Sequence, residues 1–198
     1  MKRLIVFGPS SSYGMGLEDP KNEVWGGVLS NKLNRNFINN SVPAASNKLI
    51  SYKITSFDYQ PDDIVFIMWS FPDRYTILKS DKKFINLMAT SEEDDIILYY
   101  KNFHEDFDHE FMSKVYINYS LDYLRKKNIK VFSLFHAEFL NKSLDEVDTL
   151  IPIYYDRFDN GYSRSSDGVH LGIEGNRDFG NTLYRYVTNI SESTQQFI

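Results

Sequence analysis

Two short segments, far apart in the chain, carry residue types that together could perform nucleophilic catalysis. The first is a glycine-rich turn, residues 8–16, and it contains three consecutive hydroxyl groups, on Ser10, Ser11 and Ser12. The second contains Asp167 and, three residues later, His170. An aspartate at this spacing can accept the imidazole Nδ1 hydrogen, which leaves Nε2 facing outward as a general base. The pattern predicts a Ser-His-Asp unit whose nucleophile comes from the turn.

The elements that must position these segments read as an alternating series of strands and helices. Apolar, β-branched runs predict strands at 4–7, 37–42, 64–69 and 129–135, and helical spacing predicts helices ending near Asn34, beginning at Ser46 or Asn47, and running from Ile173 to Tyr186. Such alternation indicates parallel pairing with right-handed crossovers. We therefore expect one α/β domain over residues 1–198, a three-layer α/β/α sandwich around a parallel sheet of about five strands, with 191–198 as a frayed tail. Ligands bind such sheets at the carboxyl ends of the strands.

Composition excludes several classes of function. The 198 residues carry 22 Lys and Arg against 27 Asp and Glu, a net charge of −5, which argues against a general nucleic-acid or anionic-membrane surface. Cysteine is absent, so disulfides, thiol catalysis and thiolate metal sites are excluded. The apolar run after Lys2 and Arg3 stops at Gly8, too soon for a signal peptide, and no run reaches the length of a membrane span. We expect a cytoplasmic location with no cofactor; oligomeric state is left open.

Two long stretches give weaker signals. Residues 73–89 are compatible with irregular structure or a short helix, and 92–127 with helix, whose apolar positions include Val115, Tyr116, Tyr119, Leu121 and Leu124. Residues 136–166 predict a long ordered loop. His136, just after the fourth strand, is expected in the core or beside the cleft.

Other motifs fit known sites poorly. His104 and His109 lie in an acidic segment but are five residues apart, whereas one helix face requires four for a zinc pair, so we expect a solvated segment rather than a metal site. A phosphate loop would need Lys-Ser/Thr after Gly14, and a dinucleotide fingerprint would need a glycine at Asp19. An α/β-hydrolase elbow would need glycine at position 12.

In three places the sequence resembles the SGNH (GDSL-type) hydrolases. Gly8-Pro9-Ser10 with Tyr13-Gly14-Met15-Gly16-Leu17 resembles their first block, Asn39 with residues 43–47 resembles the second, and Asp167-Gly168-Val169-His170 ahead of a helix resembles the last. The resemblance selects Ser10 as nucleophile, with Asp167 and His170 as its partners. It also implies a flavodoxin-like sheet and ester hydrolysis through an acyl-enzyme.

The sequence departs from this family at three positions. Pro9 replaces an aspartate outside the triad, and Ala44 replaces a glycine whose backbone N–H helps to hold the oxyanion. The third block, Gly-x-Asn-Asp in the family, becomes residues 69–74, Trp-Ser-Phe-Pro-Asp-Arg, without the oxyanion asparagine. Arg74, Ser70 or Asn47 could replace that donor.

We therefore expect a serine esterase that acts on small acyl esters, such as O-acetyl groups on carbohydrate. Its oxyanion hole would include the N–H groups of Ser10 and Ala44. The alternative is an SGNH-like module of impaired catalysis that binds glycan or serves as a structural component of a larger assembly.

Overall fold

A computed structural model describes residues 2–81, 83–135 and 161–195, with side chains to residue 189. The strands are β1 (Arg3–Phe7), β2 (Asn36–Asn39), β3 (Ile64–Met68), β4 (Tyr75–Leu78), β5 (Phe84–Leu87) and β6 (Lys130–Leu134). The helices are α1 (Ser10–Tyr13), α2 (Pro20–Glu23), α3 (Trp25–Lys32), α4 (Asn47–Thr55), α5 (Asp94–Phe103), α6 (Asp106–Lys126) and α7 (Ile173–Gln195). His136 and most of the predicted 136–166 loop lie outside the described residues.

Strands β2, β1, β3 and β6 form a parallel sheet in that order, confirming the predicted α/β class. The described part of the chain contributes four strands where about five are expected. If the hairpin strands β4 and β5 are not counted, this order matches the first four strands of the flavodoxin-like order 2-1-3-4-5. In that arrangement the ligand site lies outside the carboxyl ends of β1 and its neighbour β3. The turn that begins at Gly8 leaves β1 at this point.

Helices cover both faces of the sheet, as the continuous apolar strands predict. On one face α3 and α7 bury Trp25, Leu29, Phe179 and Leu183 against alternate residues of β1, β3 and β6. On the other face α4 and α6 bury Leu49, Ile50, Ile54, Ile117 and Leu121 against the intervening residues. Alternation of side chains along each strand divides the core in this way, and three layers follow.

Residues 73–89 differ from expectation, because they contain an antiparallel hairpin of β4 and β5 rather than a short helix or purely irregular chain. The hairpin packs against α4. Thr76 is buried within it, and its hydroxyl donates to Asn86 Oδ1 at 2.8 Å while accepting from Ser46 Oγ at 2.7 Å. A buried polar residue at the centre of the strand hides the apolar alternation that identifies strands.

Helix α6 is present, but it faces the core with different residues from those expected. Leu121 and Leu124 point inward as predicted, whereas Val115 and Tyr119 are exposed. With Phe107 they form part of an exposed apolar row. No helix in the described ranges has the length and apolar character needed to cross a bilayer.

Helix α7 begins at Ile173 as predicted but continues to Gln195. The predicted end at Tyr186 is therefore wrong, and residues 191–195, expected in a frayed tail, are helical. Its inward residues Phe179, Leu183 and Val187 are those the sequence predicts.

Candidate active site

The glycine-rich turn becomes helix α1, a single turn that starts at Ser10 immediately after the carboxyl end of β1. Its three serines have different surroundings. Ser10 is half-buried, and its Oγ lies 2.7 Å from His170 Nε2. Ser11 and Ser12 are buried, and among the described residues their hydroxyls have no hydrogen-bond partner. The geometry therefore separates Ser10 from its two neighbours.

His170 bridges Ser10 and Asp167. Its Nδ1 lies 2.7 Å from Asp167 Oδ2, and its Nε2 faces the Ser10 hydroxyl. If Nδ1 carries the proton, it donates to the carboxylate, and Nε2 can accept the hydrogen of Ser10 Oγ. The His170 and Asp167 side chains are 20% and 26% exposed, so the pair is open to solvent on one side.

The Asp167 carboxylate is held ionised by its hydrogen bonds. Backbone N–H groups of His170 and Val169 donate to Oδ1 at 3.0 and 2.9 Å, and the Ser165 hydroxyl donates at 2.8 Å. These bonds, with that of the His170 backbone the most important, lower the pKa of Asp167 well below its ordinary value. A permanent carboxylate orients the imidazole and stabilises the imidazolium that forms during proton transfer.

A short hairpin-like loop carries both Asp167 and His170. Arg164 and Leu171 form an antiparallel bridge, and Ser165 N donates to His170 O at 2.8 Å. The loop is tied to the glycine-rich turn through Ser166, whose N–H and hydroxyl both donate to Gly16 O, at 3.1 and 2.8 Å. The two segments that carry the chemistry are therefore joined by their backbones as well as by the triad.

Two asparagines support this site without taking part in the predicted triad. Asn176 is buried in the first part of α7, accepts from Trp25 N at 3.1 Å and donates to Leu171 O at 2.8 Å. Asn39, at the end of β2, donates to Ser12 O at 3.0 Å. Sequence reasoning missed Asn176, although a polar residue on the apolar face of a helix is a detectable signal.

The backbone N–H groups of Ser10 and Ala44 have no acceptor among the described residues. Ala44 adopts a left-handed conformation with φ 57°, the region that glycine occupies most readily. Alanine at this position therefore keeps a glycine-like backbone. The expected role of both N–H groups at an oxyanion stays a prediction.

Asn47 does not offer such a donor. It is 2% exposed, its amide donates to Ser70 O at 3.0 Å and to Ser113 Oγ at 3.2 Å, and its Oδ1 accepts from Ser70 N at 2.8 Å. Ser70 is also buried. The expectation that Asn47 binds the oxyanion is corrected: Asn47 fixes the backbone of the segment after β3.

Arg74 lies beyond this segment, where its Nη1 donates to Ser70 Oγ at 3.3 Å and its guanidinium packs 5.2 Å from the centre of the Phe71 ring. It lines a small cavity of about 120 Å³ with Asn47, and neither Ser10 nor His170 lines that cavity. Arg74 and Ser10 lie in segments that leave the carboxyl ends of two adjacent strands, β3 and β1.

The segment around His104 and His109 is exposed over residues 105–108, as predicted, but His109 itself is packed. The two rings lie 4.1 Å apart, and His109 is 7% exposed. Its Nδ1 lies 3.3 Å from Pro72 O and its Nε2 3.4 Å from Tyr99 Oη. The pKa of His109 is lowered, mainly by burial and in addition by the neighbouring His104. Both of its ring nitrogens hold local structure together.

Comparison with solved structures identifies the fold. The protein called TesA aligns with a TM-score of 0.58 over 93% of this chain and 97% of its own, at 12% identity. The lipase Lip_vut3 from a goat rumen metagenome aligns with a TM-score of 0.56 over 92% of this chain and 96% of its own, at 13% identity. The acetyl xylan esterase Est2A from Butyrivibrio proteoclasticus aligns with a TM-score of 0.51 over 97% of this chain and 65% of its own, at 13% identity.

The protein is therefore an α/β/α domain with a serine, a histidine and an aspartate in hydrogen-bond contact at the carboxyl edge of its sheet. More particularly, it has the fold of the SGNH (GDSL-type) hydrolases. No protein-family model and no curated protein matches the sequence.

Proposed function

We propose that the protein is a serine esterase that forms an acyl-enzyme on Ser10. The observation that carries the proposal is the continuous contact from Asp167 through His170 to Ser10, with 2.7 Å at each step. A serine hydroxyl is a weak nucleophile until an adjacent base accepts its proton. In this proposal His170 acts as that base and Asp167 orients it.

The reaction would proceed in two halves. Ser10 Oγ attacks the acyl carbon while its proton passes to His170 Nε2, and the carbonyl oxygen becomes an oxyanion near the N–H groups of Ser10 and Ala44. His170 then gives the proton to the departing alcohol. In the second half, water loses a proton to His170 and attacks the acyl carbon, and Ser10 recovers its hydrogen as the acid leaves.

The substrate class we favour is a small acyl ester, with O-acetyl groups on carbohydrate as the first choice. Support comes from the acetyl xylan esterase that shares the fold. The third-block asparagine is missing, and losing one oxyanion donor typically lowers turnover by about 10²–10³-fold. We therefore expect slow hydrolysis of unactivated esters and easier hydrolysis of activated ones.

The test combines a fluorophosphonate probe with p-nitrophenyl acetate. Wild-type protein should be labelled and should release p-nitrophenol, whereas Ser10→Ala should do neither; Ser11→Ala is the matched control, expected to retain labelling. Labelling that persists in Ser10→Ala would assign the nucleophile elsewhere. Absence of labelling and turnover in the wild type would favour the non-catalytic glycan-binding or structural module.

Arg74→Ala tests the remaining oxyanion candidate. If Arg74 replaces the missing asparagine, kcat for p-nitrophenyl acetate should fall by about 10²-fold or more. An unchanged kcat would exclude this role and leave Arg74 to another function.

A further inference from the structure

The cavity that Arg74 and Asn47 line contains two cationic side chains, Lys48 from α4 and Arg74 from the segment after β3. Both are half-buried. Their protein hydrogen bonds go to neutral hydroxyls: Lys48 Nζ donates to Tyr75 Oη at 3.3 Å, and Arg74 Nη1 donates to Ser70 Oγ at 3.3 Å. The cavity is therefore lined by two cations whose hydrogen-bond acceptors in the protein are uncharged.

Neither cation forms an ion pair with an acidic side chain of the described residues. Asp108 also lines the cavity, but it is exposed and pairs with neither. Burial lowers the pKa of Arg74, although its guanidinium remains charged. The adjacent Asp73 carboxylate raises the pKa of Arg74 and offsets the effect of burial only in part, so an anionic ligand would relieve the remaining cost of removing the guanidinium from water.

Aromatic rings form much of the remaining wall. Tyr75 and Tyr99 stack with centroids 5.5 Å apart, and Lys48 Nζ lies 4.8 Å from the centre of the Tyr75 ring. Phe103 and Tyr116 complete this side, and Phe103 is 74% exposed. Flat apolar surfaces beside fixed cations suit a ligand that combines a ring with a negative group.

We propose that this cavity is a subsite for the carboxylate of a uronic acid residue, so that the esterase would act on acylated acidic carbohydrate. The inference of acidic substrates rests on the proposed function; the binding site itself does not. Arg74 would hold the carboxylate through its paired N–H groups, Lys48 would add a second charge, and the tyrosines would contact the sugar ring.

Calorimetric titration with methyl glucuronide and methyl glucoside tests the proposal, because the two sugars differ in the carboxylate. Wild type and Ser10→Ala should bind the glucuronide alike and at least about tenfold more tightly than the glucoside. Acetate is titrated as a carboxylate without a ring and should bind more weakly than the glucuronide.

Arg74→Gln and Lys48→Met should each weaken glucuronide binding, by about tenfold for the arginine. The matched control is Lys32→Met, since Lys32 also rests on a tyrosine ring, that of Tyr184, away from the cavity. Thermal unfolding verifies that each variant folds. If Arg74→Gln does not fold, the binding of glucuronide by Lys48→Met still tests the proposal.

Equal affinity for the two sugars, or glucuronide binding that neither variant weakens, would overturn the proposal. Binding that depends on Arg74 in a protein that hydrolyses no ester would retain the subsite and reject the esterase. Ester hydrolysis without selective binding of the glucuronide would retain the esterase and reject the subsite.

Discussion

The backbone of Gly16 packs directly against the side chain of Asp167. A Cβ atom at position 16 would lie 3.1 Å from Asp167 Cγ and 2.5 Å from Ser165 Oγ. Gly16 also has φ 76° and accepts both hydrogen bonds from Ser166. The turn that carries Ser10 therefore also sets the position of the loop that carries Asp167 and His170.

Gly16→Ala should impair catalysis more than it impairs folding. The new methyl group must displace the loop that carries Asp167, and a misplacement of about 1 Å can lower rate by about 10²-fold. Gly168→Ala is the matched control, because φ is 70° there and no atom of the described residues lies within 4 Å of the added atom. The positive φ should cost both variants about 1 kcal/mol of stability, and the close contacts at position 16 should add to the loss in Gly16→Ala. Equal turnover of p-nitrophenyl acetate by the two variants would contradict this reasoning.

Asp167→Asn should lower kcat for p-nitrophenyl acetate by about 10²–10⁴-fold, because an amide no longer stabilises the imidazolium. It should also change the acid stability. The pKa of Asp167 is lower in the folded protein than in the unfolded chain, where it is about 4. The carboxylate therefore contributes fully to the free energy of unfolding above that pH, and the contribution is lost as the pH falls toward the pKa of the folded protein.

Urea unfolding at pH 6 and pH 3 measures this contribution. The stability difference between wild type and Asp167→Asn should be larger at pH 6 and should shrink at pH 3. A difference that is the same at both pH values would show that the carboxylate is not preferentially ionised in the folded protein.

Asn47→Ala should destabilise the fold by about 2–4 kcal/mol, since the buried N–H and C=O of Ser70 both lose their partner. Asn118→Ala, at an exposed position of α6, should change stability by less than about 0.5 kcal/mol. Chemical unfolding and esterase assays should be run together. A large loss of kcat in Asn47→Ala without destabilisation would restore Asn47 as an oxyanion donor.

Ala44→Gly should leave turnover within a few-fold of wild type and change stability by at most about 1 kcal/mol. Glycine relieves the left-handed strain but adds freedom to the unfolded chain, and the N–H remains. A tenfold loss of kcat would mean that the alanine methyl group, and not the N–H alone, shapes the site.

The sequence carries the central fold and the triad because both have strong local signals. Ile64–Met68 is continuously apolar and is buried on both faces, as expected. The spacing of Asp167 and His170 predicts their contact, and the resemblance in the first block selects, of three serines, the one whose Oγ lies 2.7 Å from His170 Nε2.

Polar residues in the interior account for much of what the sequence conceals. Helix α6 turns Ser113 and Ser120 inward, where Ser120 Oγ donates to Ser51 Oγ at 2.9 Å, so its buried face is not its most apolar one. The role of Asn47 is hidden for a related reason, since its partners lie 23 and 66 residues away. Such hydrogen bonds depend on tertiary structure and leave no periodic pattern.

The separation of 160 residues between Ser10 and His170 has a consequence for folding. Closing so long a loop costs more entropy than forming local helices or neighbouring strand pairs, and contacts of this kind tend to form late. Secondary structure should therefore precede enzymatic competence as the chain folds. A partly folded molecule would hold a serine, a histidine and an aspartate, yet remain chemically inert until its first strand and last helix share one core.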